Sequence, residues 1–348
     1  MYLSLFDINR NHIINIPNIT FLLTKRAFDY DSFSATGVIN IKLDNARLMV
    51  LNDNKDNAIY SCFVDVITTT ATNVTTFLGK DFKCLLDTET IVTLPSTNLG
   101  DILNVSAKSV VNNIDKMHQK IPFVYNDVVF TEDTFLHGNF SNIQKLINVR
   151  SFLLAYTKYY NIREVYSYSE SARTIFFTFE RIYSTIDITL DDFIFDKTTS
   201  KSLVNNVVVG TLINGIYTTA NPGYYMLTTD NSITVQGTPA VTGQRLYPVI
   251  TRRFFKEKIA EARFEALLLL SDNRFVDNII LNNINKNFPI NLDKLQLLQM
   301  IKIYVNGKFY KTLPIAEQNI TYSANEFTYS TKLGFKKILL TEFVKKGG

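Results

Sequence analysis

Asn306–Gly307 lies between two alternating runs, MIKIYV before it and KFYKTLPIAEQNITY after it. That pair constrains the chain more than any other feature. Asn and Gly both tolerate the positive φ that a two-residue hairpin turn demands, and alternation on either side supplies the strands. A further strand, FTYSTKLGFKKILLTEFVKK, follows. Upstream, Arg252 to Asn273 (RRFFKEKIAEARFEALLLLSDN) predicts a long amphipathic helix, with Phe255, Ile259, Ala262, Ala266 and Leu269 near one face. Helix, hairpin and closing strand make a wall, and nothing in that order is catalytic.

The other end of the chain is also strand-like. Ile13, Ile14, Ile16, Ile19, Phe21 and Leu23 lead into Thr24, Lys25 and Arg26. Val38, Ile39, Ile41 and Leu43 then recur with Asn40 and Lys42 opposite. Asn52–Asn57 (NDNKDN) predicts a turn. Thr- and Val-rich strands are expected around Ile59–Ile67 and Asn73–Phe82. Residues 1–95 thus predict an all-β barrel or sandwich.

After Pro95 the period changes. Val110, Ile114 and Met117 predict a helix over Ser106–His118, with Ser106 as N-cap and Pro122 closing the segment. A second helix is expected over Ser141–Tyr160 from Ile143, Leu146, Ile147, Leu153, Leu154 and Ala155. Strands Glu164–Tyr168 and Thr174–Ile182, joined by the turn Ser169–Arg173, complete an inserted α/β region over 96–195. In 196–348, Val207–Ile213 predicts a strand, and Asn214–Gln244, rich in Gly and Pro, predicts a long loop with short strands. The fold class expected is α+β, predominantly β: an all-β start, an insert and an all-β end.

Composition narrows function. A net charge of +4 over 348 residues is too slight for a dedicated nucleic-acid binder. Cys62 and Cys84 are too few for a disulfide framework; the plain reading is two buried thiols, with a Cys62–Cys84 bridge as the alternative. MYLSLFDINRNHIINI lacks the basic start and apolar run of a signal peptide, and no stretch approaches the roughly 18 apolar residues of a membrane-spanning helix. Assembly in a cytoplasm is expected.

The search for chemistry nominates no catalytic, cofactor-binding or metal-binding residue. His12, His118 and His137 share no ligand spacing. Asp187, Asp191, Asp192 and Asp196 are dense, but in strand geometry they divide between two faces, whereas a divalent ion needs converging oxygens. Asp53–Asn57 resembles the start of a calcium loop but lacks its glycine and distal glutamate, so it reads as a turn. Gly79–Lys80 lacks a glycine-rich phosphate loop, and no GxSxG occurs. Arg252, Arg253, Lys256, Lys258 and Arg263 interleave with Glu257, Glu261 and Glu265 and read as a mixed-charge solvated or subunit-facing side. Lys336, Lys337, Lys345 and Lys346 suit an edge strand guarded against stray pairing.

The layout resembles the baseplate hub or tail-tip hub proteins of tailed phages and phage-derived contractile particles. The pieces that carry it are DFKCLLDTETIVTL, LGDILNVSAKSVVNNI, FEALLLLSDNRFVDNIIL, LLQMIKIYVNGKFYKTLPIAEQNITY and KLGFKKILLTE. Asn306, Gly307, Lys308, Gly334, Leu340, Thr341 and Glu342 fill the family's turn and closing-strand positions. The resemblance implies two tube-like antiparallel β-barrels, 1–95 and 196–348, around the insert. It also implies a homotrimer that presents six barrels, matching a six-fold tail tube (or distal tail protein) to a three-fold spike or tip. The central channel would pass the tape measure protein and then DNA. With the chain stopping soon after Glu342, no appended lysozyme or peptidase is expected, nor any enzyme activity or cofactor. The alternatives are a distal tail ring or adaptor, and a β-rich carbohydrate-binding adhesin using loop Asn214–Gln244.

Overall fold

The computed structural model describes residues 1–41, 43–94, 98–116, 122–131, 143–189, 198–200, 204–228, 233–235, 249–272, 276–282 and 295–334. The chain opens with seven strands: β1 (Tyr2–Asp7), β2 (His12–Pro17), β3 (Thr20–Arg26), β4 (Ser32–Val38), β5 (Ala46–Asn52), β6 (Ala58–Thr69) and β7 (Val74–Lys80). A short 3-10 helix, Phe82–Leu86, leads to β8 (Glu89–Leu94), α1 (Leu99–Lys116), β9 (Phe123–Tyr125), β10 (Ile143–Asn148), α2 (Val149–Tyr159), β11 (Ile162–Ser169) and β12 (Thr174–Arg181). Then come β13 (Thr185–Thr189), β14 (Thr198–Ser200), β15 (Asn206–Ile213), β16 (Ile216–Leu227), β17 (Ile233–Val235), β18 (Thr251–Lys256) and α3 (Ile259–Asp272). The described chain closes with β19 (Val276–Asn282), β20 (Met300–Val305), β21 (Lys308–Ser323) and β22 (Glu326–Leu333). The fold is predominantly β, with large antiparallel sheets and few helices.

One 13-stranded sheet joins both ends of the chain, in the order β14-β19-β22-β21-β3-β4-β7-β6-β5-β1-β2, with β20 and β13 continuing from β21. The first seven strands pair mostly as local hairpins, with β1–β5 and β4–β7 as the longer-range pairings. At Gly37 on β4 an added Cβ would lie 2.8 Å from Ile16 Cγ2 on β2, so this part of the sheet curls until β2 packs across β4. Inside sit Leu3, Leu5, Phe21, Leu23, Phe33, Met49 and Phe77, all buried. The closing half surrounds a separate core of Ile188, Ile279, Leu281, Ile301, Ile303, Leu313 and Leu333. β21 belongs to both halves: its first part pairs with β20, and its second part runs between β22 and β3.

A third core ties the insert to the outside of the first half. Phe6, Leu48 and Val50, which point outward from β1 and β5, pack with Phe82, Leu86, Ile102, Leu103, Leu153 and Phe177. A four-stranded sheet, β17-β16-β15-β18, packs Val207, Val209, Tyr225 and Leu227 against Ala262, Ala266, Leu267 and Leu270 of α3. No helix among the described residues is long and apolar enough to cross a membrane.

Turns read from the sequence are in place. Asn306 and Gly307 have φ of 49° and 70° between β20 and β21. NDNKDN turns β5 into β6. The strands expected at Glu164–Tyr168, Thr174–Ile182 and Val207–Ile213 are β11, β12 and β15.

Four helix or loop expectations are corrected. α1 starts at Leu99, not Ser106, because Leu99, Ile102 and Leu103 extend the buried stripe two turns upstream. Asn98 meets the helix start, its side chain accepting from Asp101 N at 3.2 Å, while Ser106 is fully buried mid-helix. Ile143–Asn148 is a strand paired with β8; its apolar residues fit either period, and the partner strand decides. α2 begins only at Val149, where Asn148 accepts from Ser151 N at 2.9 Å. The basic start of the expected long helix, Arg252 to Lys256, is β18 in parallel pairing with β15, so α3 runs from Ile259. Within Asn214–Gln244, Asn214–Gly215 makes a hairpin turn and Ile216–Leu227 is a 12-residue strand rather than loop.

Candidate functional site

The most concentrated chemistry in the described chain is a buried group of charges where the first half, the insert and β21 meet. The local sequence builds it in two pieces. Asp81 caps the 3-10 helix, its Oδ1 accepting from Lys83 N at 3.1 Å, so Lys83 is turned inward beside Phe82. The turn between β3 and β4 brings Asp31 to the same point, where Asp31 N donates to Asp81 Oδ2 at 2.8 Å.

Lys83 Nζ then donates to Asp31 Oδ1 at 2.7 Å, to Arg26 O at 2.8 Å and to Asp29 O at 2.9 Å, with Asp81 Oδ2 at 3.4 Å. Its three N–H groups are all committed. Asp31 Oδ1 also accepts from Arg26 N at 2.8 Å. One ammonium therefore serves two carboxylates.

The electrostatics follow from that count. Burial opposes charge on Lys83, but Asp31 and Asp81 outweigh it and hold its pKa above the ordinary lysine value. Burial pushes Asp31 upward, and the nearby Asp81 adds to the rise, against the pull of Lys83. Burial also raises Glu164 on β11, countered by Arg150 and Lys83. Lys25 is lowered by burial.

Neighbouring contacts stitch the joint on every side. Arg26 Nε donates to Glu317 Oε2 at 3.1 Å, and Thr24 Oγ1 donates to Asn319 Oδ1 at 2.7 Å, both across the β3–β21 seam. The Arg150 guanidinium of α2 lies 3.7 Å from the centre of the Tyr30 ring. Tyr30 Oη donates to Asp87 Oδ2 at 2.8 Å, and Asn148 Nδ2 donates to Asp87 Oδ1 at 2.7 Å. A cavity of about 650 Å³ opens beside the cluster, bordered by Lys25, Tyr60, Arg163, Tyr168 and Gln318.

Chemically, this arrangement is a clamp. An ammonium whose donors are all used, and whose pKa is raised, has nothing to offer a substrate as base or nucleophile. Its removal would strand two buried carboxylates.

The residues weighed from sequence lie apart from one another. His12 is exposed on β2, its Nε2 2.7 Å from Asn15 Oδ1; His118 and His137 fall outside the described residues. Asp187 sits on β13, while Asp191, Asp192 and Asp196 fall outside the described residues. Asp53 accepts from Lys55 N, Asn57 N and Asn57 Nδ2 at 2.7 to 2.8 Å, so its oxygens serve its own turn. Cys62 is buried, Cys84 is half-buried and both are free thiols, which removes the bridge. Arg252 and Arg253 are exposed on β18, and Lys256 pairs with Glu265 at 2.7 Å. Lys336, Lys337, Lys345 and Lys346 fall outside the described residues. Among the described residues no group of three or more His, Cys, Asp or Glu could hold a metal ion.

Sequence reading missed the clamp. Lys83 and Asp31 are 52 positions apart. The only local sign is Asp81 and Lys83 flanking Phe82 ahead of Leu85 and Leu86, a lysine set in an apolar run.

A predominantly β chain with a 13-stranded sheet spanning both ends has the fold of phage tail proteins. It superposes on the 43 kDa tail protein of prophage MuSo2 from Shewanella oneidensis with a TM-score of 0.53 at 11% identity, covering 96% of this chain and 98% of that one. It superposes on prophage tail protein gp18 of Listeria monocytogenes EGD-e with a TM-score of 0.54 at 11% identity, covering 99% and 98%. No family model and no curated protein matches the sequence.

Proposed function

We propose that this chain is a structural hub of a phage or phage-like tail. It forms a homotrimeric ring at the baseplate or tail tip, between a six-fold tail tube or distal tail protein and a three-fold spike or tip. The ring surrounds the channel through which the tape measure protein and then DNA pass. The division into tube-like units 1–95 and 196–348 around the insert 96–195 belongs to the same proposal. The chain is not an enzyme in this reading.

The observation that carries it is the pair of β-rich ends, each with its own core and joined through β21, in a chain whose fold runs the full length of two tail proteins. Two similar walls per subunit let three subunits offer six. The clamp fits a static role: it ties the two β-rich ends and the segment between them at one point, with every N–H of Lys83 in use.

Mass photometry of the purified chain and cryo-EM of the particle test the proposal. A trimer on the tail axis is the expected result. A stable monomer absent from the tail axis would overturn it.

A further inference from the structure

The cavity beside the clamp is bordered by polar groups that the protein itself leaves unmatched. On β3 the alternate positions Phe21 and Leu23 face the core, and the next in that row is Lys25. Lys25 and its register partner on β21, Gln318, both line the cavity. Among the described residues Lys25 makes no ion pair and its ammonium no hydrogen bond. Asp31 attracts it only from beyond ion-pair distance, being held by Lys83. Tyr60 on β6 adds a buried hydroxyl that has no hydrogen-bond partner.

The carboxylates that border the same space are already engaged. Asp31 Oδ1 accepts from Lys83 Nζ and Arg26 N, and Asp81 accepts from Lys83 N and Asp31 N. Glu164 is drawn by Arg150 and Lys83, with Tyr166 Oη 3.4 Å from its Oε2. Arg163 on β11 gives Nε and Nη2 to one oxygen of Glu180, at 3.2 and 2.6 Å, and keeps Nη1 for another acceptor. The charge left over is the cation of Lys25.

Such groups weaken a fold that uses them for nothing. An ammonium withdrawn from water without a counter-charge destabilises, and so does a hydroxyl buried without an acceptor. Burial raises the pKa of Tyr60, so its hydroxyl stays a proton donor. Ammonium, guanidinium and phenol share one complement, an oxyanion that accepts from all three. The space is about 650 Å³, which is the size of a small-molecule site, and Ile59, Val165, Leu295 and Leu297 add aliphatic wall. A bare ion would fill little of it.

We propose that this cavity binds a small organic oxyanion, a carboxylate or phosphate on a short apolar body, with Lys25 as its counter-charge and Arg163 and Tyr60 as hydrogen-bond donors. Its walls come from β3, β6, β11 and β21, so a bound ligand touches both ends of the chain and the insert at once. The site does not depend on the tail reading above.

Calorimetric titration of the purified full chain with phenyl phosphate and, separately, with benzoate tests it. At least one probe should bind, and the two affinities report which head group is preferred. Lys25→Met should weaken that binding by at least about thirtyfold, and Tyr60→Phe by about fivefold. Benzyl alcohol, which has the apolar body without the charge, should not bind. In the absence of any probe, Lys25→Met should keep or raise the thermal midpoint, because it removes an unmatched cation. Binding of neither probe overturns the proposal, as does binding that survives Lys25→Met or is equalled by benzyl alcohol. A probe-free midpoint more than about 3 °C lower in Lys25→Met also overturns it, since the lysine would then serve the fold itself.

Discussion

The two β-rich ends of the chain are assembled by different routes. The first is made of one continuous stretch, β1 through β7, in which neighbours in space are mostly neighbours in sequence. The second gathers β13, β14, β19 and the β20–β21–β22 meander from segments lying as far apart as Thr185 and Leu333. Local hairpins close at small entropic cost; distant strands wait for the loops between them to close. The first half should therefore form early, with β21 completing the second on a wall already built.

The clamp between the halves gives the largest expected effect. Lys83→Met keeps the side chain's bulk but strands Asp31 and Asp81, and should cost about 3–5 kcal/mol in denaturant unfolding. A cost below about 1 kcal/mol would mean that the joint is open to water and the halves are held by strand pairing alone.

Core truncations compare the halves directly. Leu5→Ala in the first half and Ile303→Ala in the second should each cost about 2–5 kcal/mol, since both side chains are fully buried. Because β21 is common property, each variant should still unfold in one transition followed by far-UV circular dichroism. Two separated transitions in Ile303→Ala would show that the halves are independent.

A smaller effect concerns pH. Glu164 has a raised pKa in the fold, so its contribution is present below its ordinary value of about 4.3 and is lost as pH rises through the folded value. Glu164→Gln cannot titrate. The stability of the native chain relative to this variant should thus fall as pH rises above about 4. A constant difference, measured by urea midpoints as pH is raised, would argue that Glu164 is not desolvated in the fold.

The smallest effect lies at the seam. Arg26 and Glu317 are about a quarter exposed, so water screens the pair. A double-mutant cycle with Arg26→Ala and Glu317→Ala should return a coupling of about 0.5 kcal/mol.

These differences also explain what could be read from the sequence. Asn306–Gly307, NDNKDN and the alternation from Ile13 to Leu23 are local signals, and the strands they predict are present. Where a segment's state is chosen by a distant partner, local reading fails. Arg252 to Lys256 scans as the start of a helix but pairs with β15, and Ile143–Asn148 scans as helix but pairs with β8. The clamp was illegible for the same reason. Its lysine and one of its carboxylates meet only after the chain has rolled up, and no spacing rule connects Lys83 to Asp31.

β21 has a mechanical consequence. Its 16 residues extend about 50 Å at roughly 3.3 Å per residue, and for part of that length it is hydrogen-bonded on both edges. Such a strand works as a splice in a rope. Tension applied along it must shear many backbone bonds together rather than unzip them one at a time, so a pull on either half is borne by both.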